Sequence, residues 1–203
     1  MIRLKYGNTN TFFIPGNPGG LLVDTDYAGT MQAFFSALKS NHLKLDDISY
    51  VLPTHCHPDH VGLIGGLQRF GVNLLLMDKQ LASVHFPDEI FGRDKHLRYA
   101  PIDEKQATII SCDESRGFLR SIGIEGEIIS TPSHSKDSVS VILDCGDCFV
   151  GDLDPYEYLD GYDDNLPLLK DWNHIRSMNP KRILYAHANE KILKCVQIHN
   201  NKV

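Results

Sequence analysis

The 203-residue chain is 42% hydrophobic and 23% charged, with 26 acidic side chains against 20 Lys and Arg and a formal net charge of −6. These values describe one folded domain with its own core and exclude disordered, collagen-like and low-complexity chains; an acidic chain without a Lys/Arg cluster also makes a poor surface for nucleic acid or anionic membrane. No apolar stretch reaches the roughly 18 residues of a membrane span, and residues 1–7 lack the apolar core of a secretory signal, so the expected address is the cytoplasm, with the five cysteines reduced.

Short apolar runs alternate with helical patterns along the chain, the grammar of an α/β fold. Strands are predicted over 11–14 and 21–24, around a turn-rich segment at 15–20. A helix over 28–40 puts Met31, Phe34, Phe35 and Leu38 on one face. A buried strand at 48–52, a helix at 61–70 and a strand at 73–77 follow. Periodicity is weak over 85–101, which reads as a loop or helical insertion over one end of the sheet. Then come a strand near 108–111, a helix at 114–122, and strands at 127–131, 139–143 and 148–151. Cys145-Gly146-Asp147-Cys148 falls on the turn between the last two and reads as hairpin chemistry rather than a redox pair. Pro167 can begin a helix carrying Leu168, Trp172, Ile175 and Met178. A last strand is expected at 181–186 and a closing helix at 189–199, within a single domain covering 1–203.

The chemistry concentrates in Thr54-His55-Cys56-His57-Pro58-Asp59-His60, between a buried strand and a helix. Residues two apart in extended chain point to the same side, so His55 and His57 can face one metal while Cys56 faces away. Pro58 fixes the backbone where the chain turns, and Asp59 and His60 can then serve a second position nearby. Imidazole with carboxylate suits Zn²⁺, with Fe or Mn as substitutes. Three further segments each place a ligand type just after an apolar strand: Thr131-Pro132-Ser133-His134, Gly151-Asp152-Leu153 and Tyr185-Ala186-His187. Strand-end loops are where such scaffolds gather functional groups. His42, His85, His96, His174 and His199 match no motif and read as surface or packing residues.

In these segments and their order the chain resembles the metallo-β-lactamase superfamily of metal-dependent hydrolases, over residues 11–187. The resemblance implies a four-layer αβ/βα sandwich with the site at the edge between its two sheets. It also implies two divalent metal ions, His55, His57 and His134 holding the first, Asp59, His60 and His187 the second, and Asp152 bridging both. Ser133 stands where members often have Gly, and the usual Gly-Gly pair appears as Gly65-Gly66, three residues beyond Gly62. The aspartate bridge weighs against β-lactam cleavage, because true β-lactamases of the superfamily carry Cys or Ser there. His57 weighs against the di-iron oxygen and nitric oxide reductases, which carry Glu. The pattern is closer to glyoxalase II, lactonases and phosphodiesterases such as RNase Z.

Two divalent ions sharing one water lower its pKa toward neutrality. The reading that follows is a binuclear hydrolase using a metal-bridging hydroxide on a small ester, thioester or lactone. Asp59 would be the catalytic residue that orients the nucleophile or takes its proton. A phosphodiesterase or nuclease with the same metals, and a mononuclear iron sulfur dioxygenase, are the alternatives. Tyr156 and Lys136 are candidate substrate contacts. Sixteen residues follow His187, where glyoxalase II carries a helical domain that grips glutathione, and no basic arm of the RNase Z kind is visible. The expected partner is therefore a small molecule, with neither nucleic acid nor membrane.

Overall fold

The computed structural model describes residues 1–161 and 164–193. Its first sheet has six strands in the order β1-β2-β3-β4-β5-β6, and its second has five in the order β11-β10-β9-β8-β7. The first comprises β1 (Ile2–Leu4), β2 (Thr11–Ile14), β3 (Gly20–Val23), β4 (Ile48–Leu52), β5 (Asn73–Met77) and β6 (Thr108–Ile110). The second comprises β7 (Gly126–Ser130), β8 (Val139–Leu143), β9 (Asp147–Gly151), β10 (Arg182–Tyr185) and β11 (Lys191–Ile192). The helices are α1 (Met31–Ser40), α2 (Pro58–Val61), α3 (Ile64–Arg69), α4 (Phe86–Phe91), α5 (Cys112–Ser121) and α6 (Leu166–Ser177). From β3 to β6 the strands run parallel, so three crossings leave the first sheet at the same end, and in the otherwise antiparallel second sheet β10 lies parallel to β9.

Successive strand residues point to opposite faces, and here both faces of the central strands are apolar. Phe12, Ile14, Leu21, Val23, Leu52, Leu75 and Met77 of the first sheet meet Ile128, Val139, Val141, Phe149 and Leu184 of the second. The alternate residues Phe13, Leu22, Val51, Leu74 and Leu76 pack on α1 and α3 through Phe34, Leu38, Ile64 and Leu67. Ile129, Ile142, Cys148, Val150 and Ile183 take α6 through Leu168, Trp172 and Ile175. Helix, sheet, sheet, helix: these are the four layers of the expected sandwich. Each buried Leu, Ile or Phe contributes about 1.5–3 kcal/mol. Trp172 keeps its indole satisfied by donating to the Asp154 carbonyl at 2.8 Å.

The structure departs from the sequence expectation at several elements. The helix expected over 61–70 is two helices, α2 beginning earlier at Pro58 and α3 at Ile64. Gly62 lies at the break, where a Cβ would stand 2.3 Å from the Ala28 nitrogen. The chain at Gly62, itself helical in backbone, therefore presses on the chain entering α1, an approach that glycine permits. Strands β1 and β11 are too short for alternation to reveal. Where a closing helix was expected from 189, Lys191–Ile192 instead pairs antiparallel with Arg182 and Ile183; residues 194–199 of that expectation lie outside the described residues. The 85–101 segment contains α4 and a 3-10 turn at Lys95–Leu97. Among the described residues no helix is long and apolar enough to cross a membrane.

Candidate metal centre

The site forms where β3, β4, β9 and β10 end and the two sheets meet. After Leu52 the chain bends at Thr54 and His55 and is extended at His57, and Pro58 occupies the first turn of α2, where its missing N–H costs nothing. The Thr54 carbonyl accepts a hydrogen bond from Val139 N at 2.8 Å, joining the histidine loop to the second sheet. Gly151 passes close by with φ +58°, and a Cβ there would lie 2.4 Å from Thr54 Oγ1. A glycine before Asp152 is thus required both by its backbone and by the approach of Thr54.

All seven residues singled out in the sequence converge, as two groups. His55, His57, His134 and Asp152 form one and Asp59, His60 and His187 the other, with one donor atom per residue lying within 4.8 Å of its companions in each. His57 Nδ1 is 2.9 Å from His55 Nε2 and 3.2 Å from His134 Nε2. Ligands at opposite corners of a tetrahedral Zn–N site stand about 3.3 Å apart, so the first group has the spacing of an ion's ligand shell. Asp152 lies between the groups. Its Oδ2 is 3.9 Å from His55 Nε2 and 3.8 Å from His134 Nε2, while its Oδ1 is 3.3 Å from both His60 Nε2 and His187 Nε2. Asp59 Oδ2 lies 3.1 Å from His187 Nε2.

Among the described residues, His60 Nε2 and Asp152 Oδ1 are buried without a hydrogen-bond partner; they approach without alignment. Such orphans cost free energy unless something else binds them. A divalent cation fits them both, and the nitrogen and oxygen donors of both groups suit Zn²⁺, Fe or Mn.

The groups differ electrostatically. Burial, then the neighbouring imidazoles, hold His55 far below the ordinary histidine range. Burial also lowers His134. Burial presses His60 the same way, yet the Asp24 and Asp152 carboxylates outweigh it and push His60 up to about 10. The hydrogen bond from His187 holds Asp59 down at about 2, and the same bond raises His187. Burial opposes ionisation of Asp152, but His60 leaves it lowered. His55 and His134 are thus held neutral, ready to ligate, whereas a metal binding beside His60 and His187 displaces protons.

The supporting residues were not foreseen. Asp24, just past β3 and 2% exposed, accepts from Thr54 N at 2.6 Å and from Thr54 Oγ1 at 2.9 and 3.0 Å. Its Oδ2 also faces His60 Nδ1 at 3.2 Å. That contact puts the proton on Nδ1 and turns Nε2 toward the centre. Thr54 Oγ1 lies 3.2 Å from His55 Nδ1. Asp137 accepts from Cys56 N and Ser135 Oγ, each at 2.8 Å, tying the His55–His57 loop to the His134 loop. The Asn8 carbonyl sits 3.2 Å from His187 Nδ1. A buried acid directly after an apolar strand was the one available signal for Asp24.

Cys56 Sγ points away from the centre, toward the Gln80 carbonyl at 3.9 Å. Tyr156 is engaged elsewhere, edge-on to Trp172 at 6.2 Å with the Arg176 guanidinium 3.4 Å above its ring. Tyr158 instead lines the open groove beside Asp152 and His187. Lys136 lines a separate recess beside His57. Cys145 is exposed and Cys148 buried, both as free thiols.

Residues 4–187 match the family model described as the metallo-beta-lactamase superfamily. The chain belongs to the metallo-β-lactamase superfamily. A probable metallo-hydrolase of Methanocaldococcus jannaschii is 30% identical over 146 residues, 68% of this chain and 65% of that protein. A beta-lactamase-like protein 2 homolog of Caenorhabditis elegans is 30% identical over 179 residues, 83% of this chain and 54% of that protein. The chain thus spans less than two thirds of the length of these relatives. A protein solved in a di-iron-bound form superposes with a TM-score of 0.67 at 19% identity, covering 95% of this chain and 94% of that one. At that identity the likeness concerns the superfamily fold alone.

Proposed function

We propose that this superfamily member is a binuclear metal-dependent hydrolase acting on a small ester, thioester or lactone. The observation that carries the reading is Asp152, whose two oxygens face different donor groups and whose Oδ1, like His60 Nε2, is buried and unpartnered. His55, His57 and His134 would hold one divalent ion, Asp59, His60 and His187 the other, and Asp152 both; zinc is the metal the donor set favours. Bound there, the two ions supply a nucleophilic water at neutral pH and polarise the substrate oxygen.

The chain's own residues supply the rest. Asp59 is kept ionised by His187 at 3.1 Å and is 37% exposed, so its carboxylate can orient the nucleophile and accept its proton. Asp24 and Thr54 hold the rings of His60 and His55 from behind, so the geometry exists before substrate arrives. The groove of about 340 Å³ along Asp152, Pro155, Tyr158 and His187 admits a small molecule. The net charge of −6 disfavours a polyanion, whose affinity depends on many Lys and Arg contacts. We therefore read the partner as a small molecule rather than a nucleic acid.

The test is a panel of aryl esters, thioesters, lactones and bis-p-nitrophenyl phosphate, run at equal metal loading. Turnover of carbonyl substrates is expected. Turnover of the phosphodiester alone, with RNA affinity that falls steeply with salt, would overturn the carbonyl reading.

A further inference from the structure

Two hollows flank the centre, and they differ in charge. The groove past Asp152 is lined by Asp154 and Tyr158 and, among the described residues, by no Lys or Arg. On the other side, a recess of about 300 Å³ is lined by His57, Ser83, Phe86, Ser135, Lys136 and Asp137, among others. We propose that this recess binds a carboxylate carried by the substrate, so that the acid arm lies toward Lys136 and the uncharged end toward Tyr158. The proposal rests on the hydrolase reading and names its substrate class: esters, thioesters or lactones bearing a carboxylate on a short apolar arm.

Lys136 is exposed and makes no ion pair among the described residues. Asp137 beside it does not compete for that ammonium. It is 5% exposed, and both its oxygens are used, by Cys56 N and Ser135 Oγ. Lys136 is therefore the cation of the recess and Asp137 part of its frame. Asp137 keeps its negative charge, since its two donors are neutral, so beside it a single ammonium suits a monoanionic carboxylate better than a phosphate monoester carrying about −1.5 to −2.

The apolar arm also has a wall. Phe86 is 51% exposed, and its ring centroid lies 6.0 Å from that of His57. An aromatic left this open on a mobile loop would say little, but α4 is anchored. His85 bridges Asp88 Oδ2 at 2.8 Å and Glu104 Oε2 at 2.9 Å, while Tyr99 donates to Asp88 Oδ1 at 2.6 Å. The recess thus pairs a fixed aromatic with a free ammonium, next to the histidine that closes the first donor group.

Two measurements test this. The first compares p-nitrophenyl hydrogen glutarate with p-nitrophenyl valerate on the metal-loaded protein and on Lys136→Ala, Lys136→Met and Lys136→Glu. The preference for the anionic ester, as a ratio of kcat/KM values, should fall about threefold to fivefold in the Ala and Met variants, mainly through KM, and further in Lys136→Glu; an ion pair at a solvent-facing site supports an effect of this order. The second titrates 4-phenylbutyrate and 4-phenylbutyramide into the same proteins. The affinity ratio of acid to amide should fall by about the same factor without Lys136. Lys136→Met keeps the apolar stem, so a packing role for that stem would spare it. Ratios that do not change in the Ala and Met variants overturn the proposal. If no ester is turned over, the hydrolase reading fails, and the titration alone decides whether the recess binds a carboxylate.

Discussion

His55 and His60 are 1% and 0% exposed, and each ring is fixed from behind, by Thr54 Oγ1 at 3.2 Å and by Asp24 Oδ2 at 3.2 Å. His57, His134 and His187 on loops and Asp59 in the first turn of α2 complete the same two groups on the solvent side, where Phe86 and Lys136 also stand. The floor of the centre is an extension of the core: Asp24 follows β3, Thr54 follows β4, and their hydrogen bonds hold the sheet edge as much as the histidines. The rim side chains are held more lightly, the His187 ring by the Asn8 carbonyl at 3.2 Å from Nδ1 and by Asp59 at 3.1 Å from Nε2. The contrast assigns stability and the fixed aim of the buried donors to the floor, and the remaining donors and substrate choice to the rim, a division that can be tested residue by residue.

The largest effect is expected at Asp152, which serves both halves. Asp152→Ala should lower the content of both ions together and reduce activity by more than the 10–100-fold typical of supporting residues. His187→Ala should weaken mainly the ion of the Asp59 group. Metal analysis of both variants against wild type checks this, and full occupancy in Asp152→Ala would remove it as the bridge.

Asp24→Ala strikes the floor. It leaves Thr54 N buried without its acceptor and frees the His60 ring, so stability should fall by about 3 kcal/mol and metal affinity by 10–100-fold. Urea unfolding with and without metal separates the two losses. If affinity drops while metal-free stability holds, Asp24 acts on His60 alone and the floor is not a structural unit.

Chelation should act globally but less deeply. A metal at a thousand times its Kd stabilises the native state by about 4 kcal/mol, or roughly 8–16 °C in melting temperature for a chain of this size. The metal-free protein should still melt cooperatively, because the three apolar clusters do not depend on the ions. A melting temperature unmoved by chelator would contradict native-state binding.

The smallest effect belongs to the rim. Asp88, with Glu104, raises the pKa of His85 above its usual value. A group whose folded pKa is raised adds stability that is fully present below its unfolded pKa, about 6.5, and is lost as pH rises through the higher folded value. Because His85 is half exposed the contribution is well under 1 kcal/mol. Hydrogen-exchange protection of α4 should decline across that window in wild type, and His85→Gln should remove the decline. Protection that falls equally in both would assign the anchoring of α4 to Tyr99 and Asp88.

The same division explains what the sequence revealed. The seven donors were legible because residue type, spacing and position after apolar strands are local properties; the α/β grammar was legible in apolar runs alternating with helical patterns, while the four layers came with the superfamily resemblance, since central strands apolar on both faces do not say what covers them. Asp24 and Asp137 were not, since their partners lie 30 and 81 residues away and only the assembled sheets join them. Asp24 was expected inside the strand over 21–24, but it sits beyond it with φ +60°. Tyr156 and Tyr158 could not be told apart, because the 3-10 turn at Tyr156–Gly161 sends one ring to Trp172 and the other to the groove. The start of α2 was legible in principle, since Pro58 suits a first helical turn, while the close approach of Gly62 to Ala28 joins distant segments and was not.

Anomalous diffraction from crystals of the zinc-loaded protein would locate the ions themselves. Two peaks of comparable occupancy are expected on either side of the Asp152 carboxylate, one against His55, His57 and His134 and the other against Asp59, His60 and His187. A single peak within the first group, with the second group empty at saturating zinc, would contradict the binuclear reading.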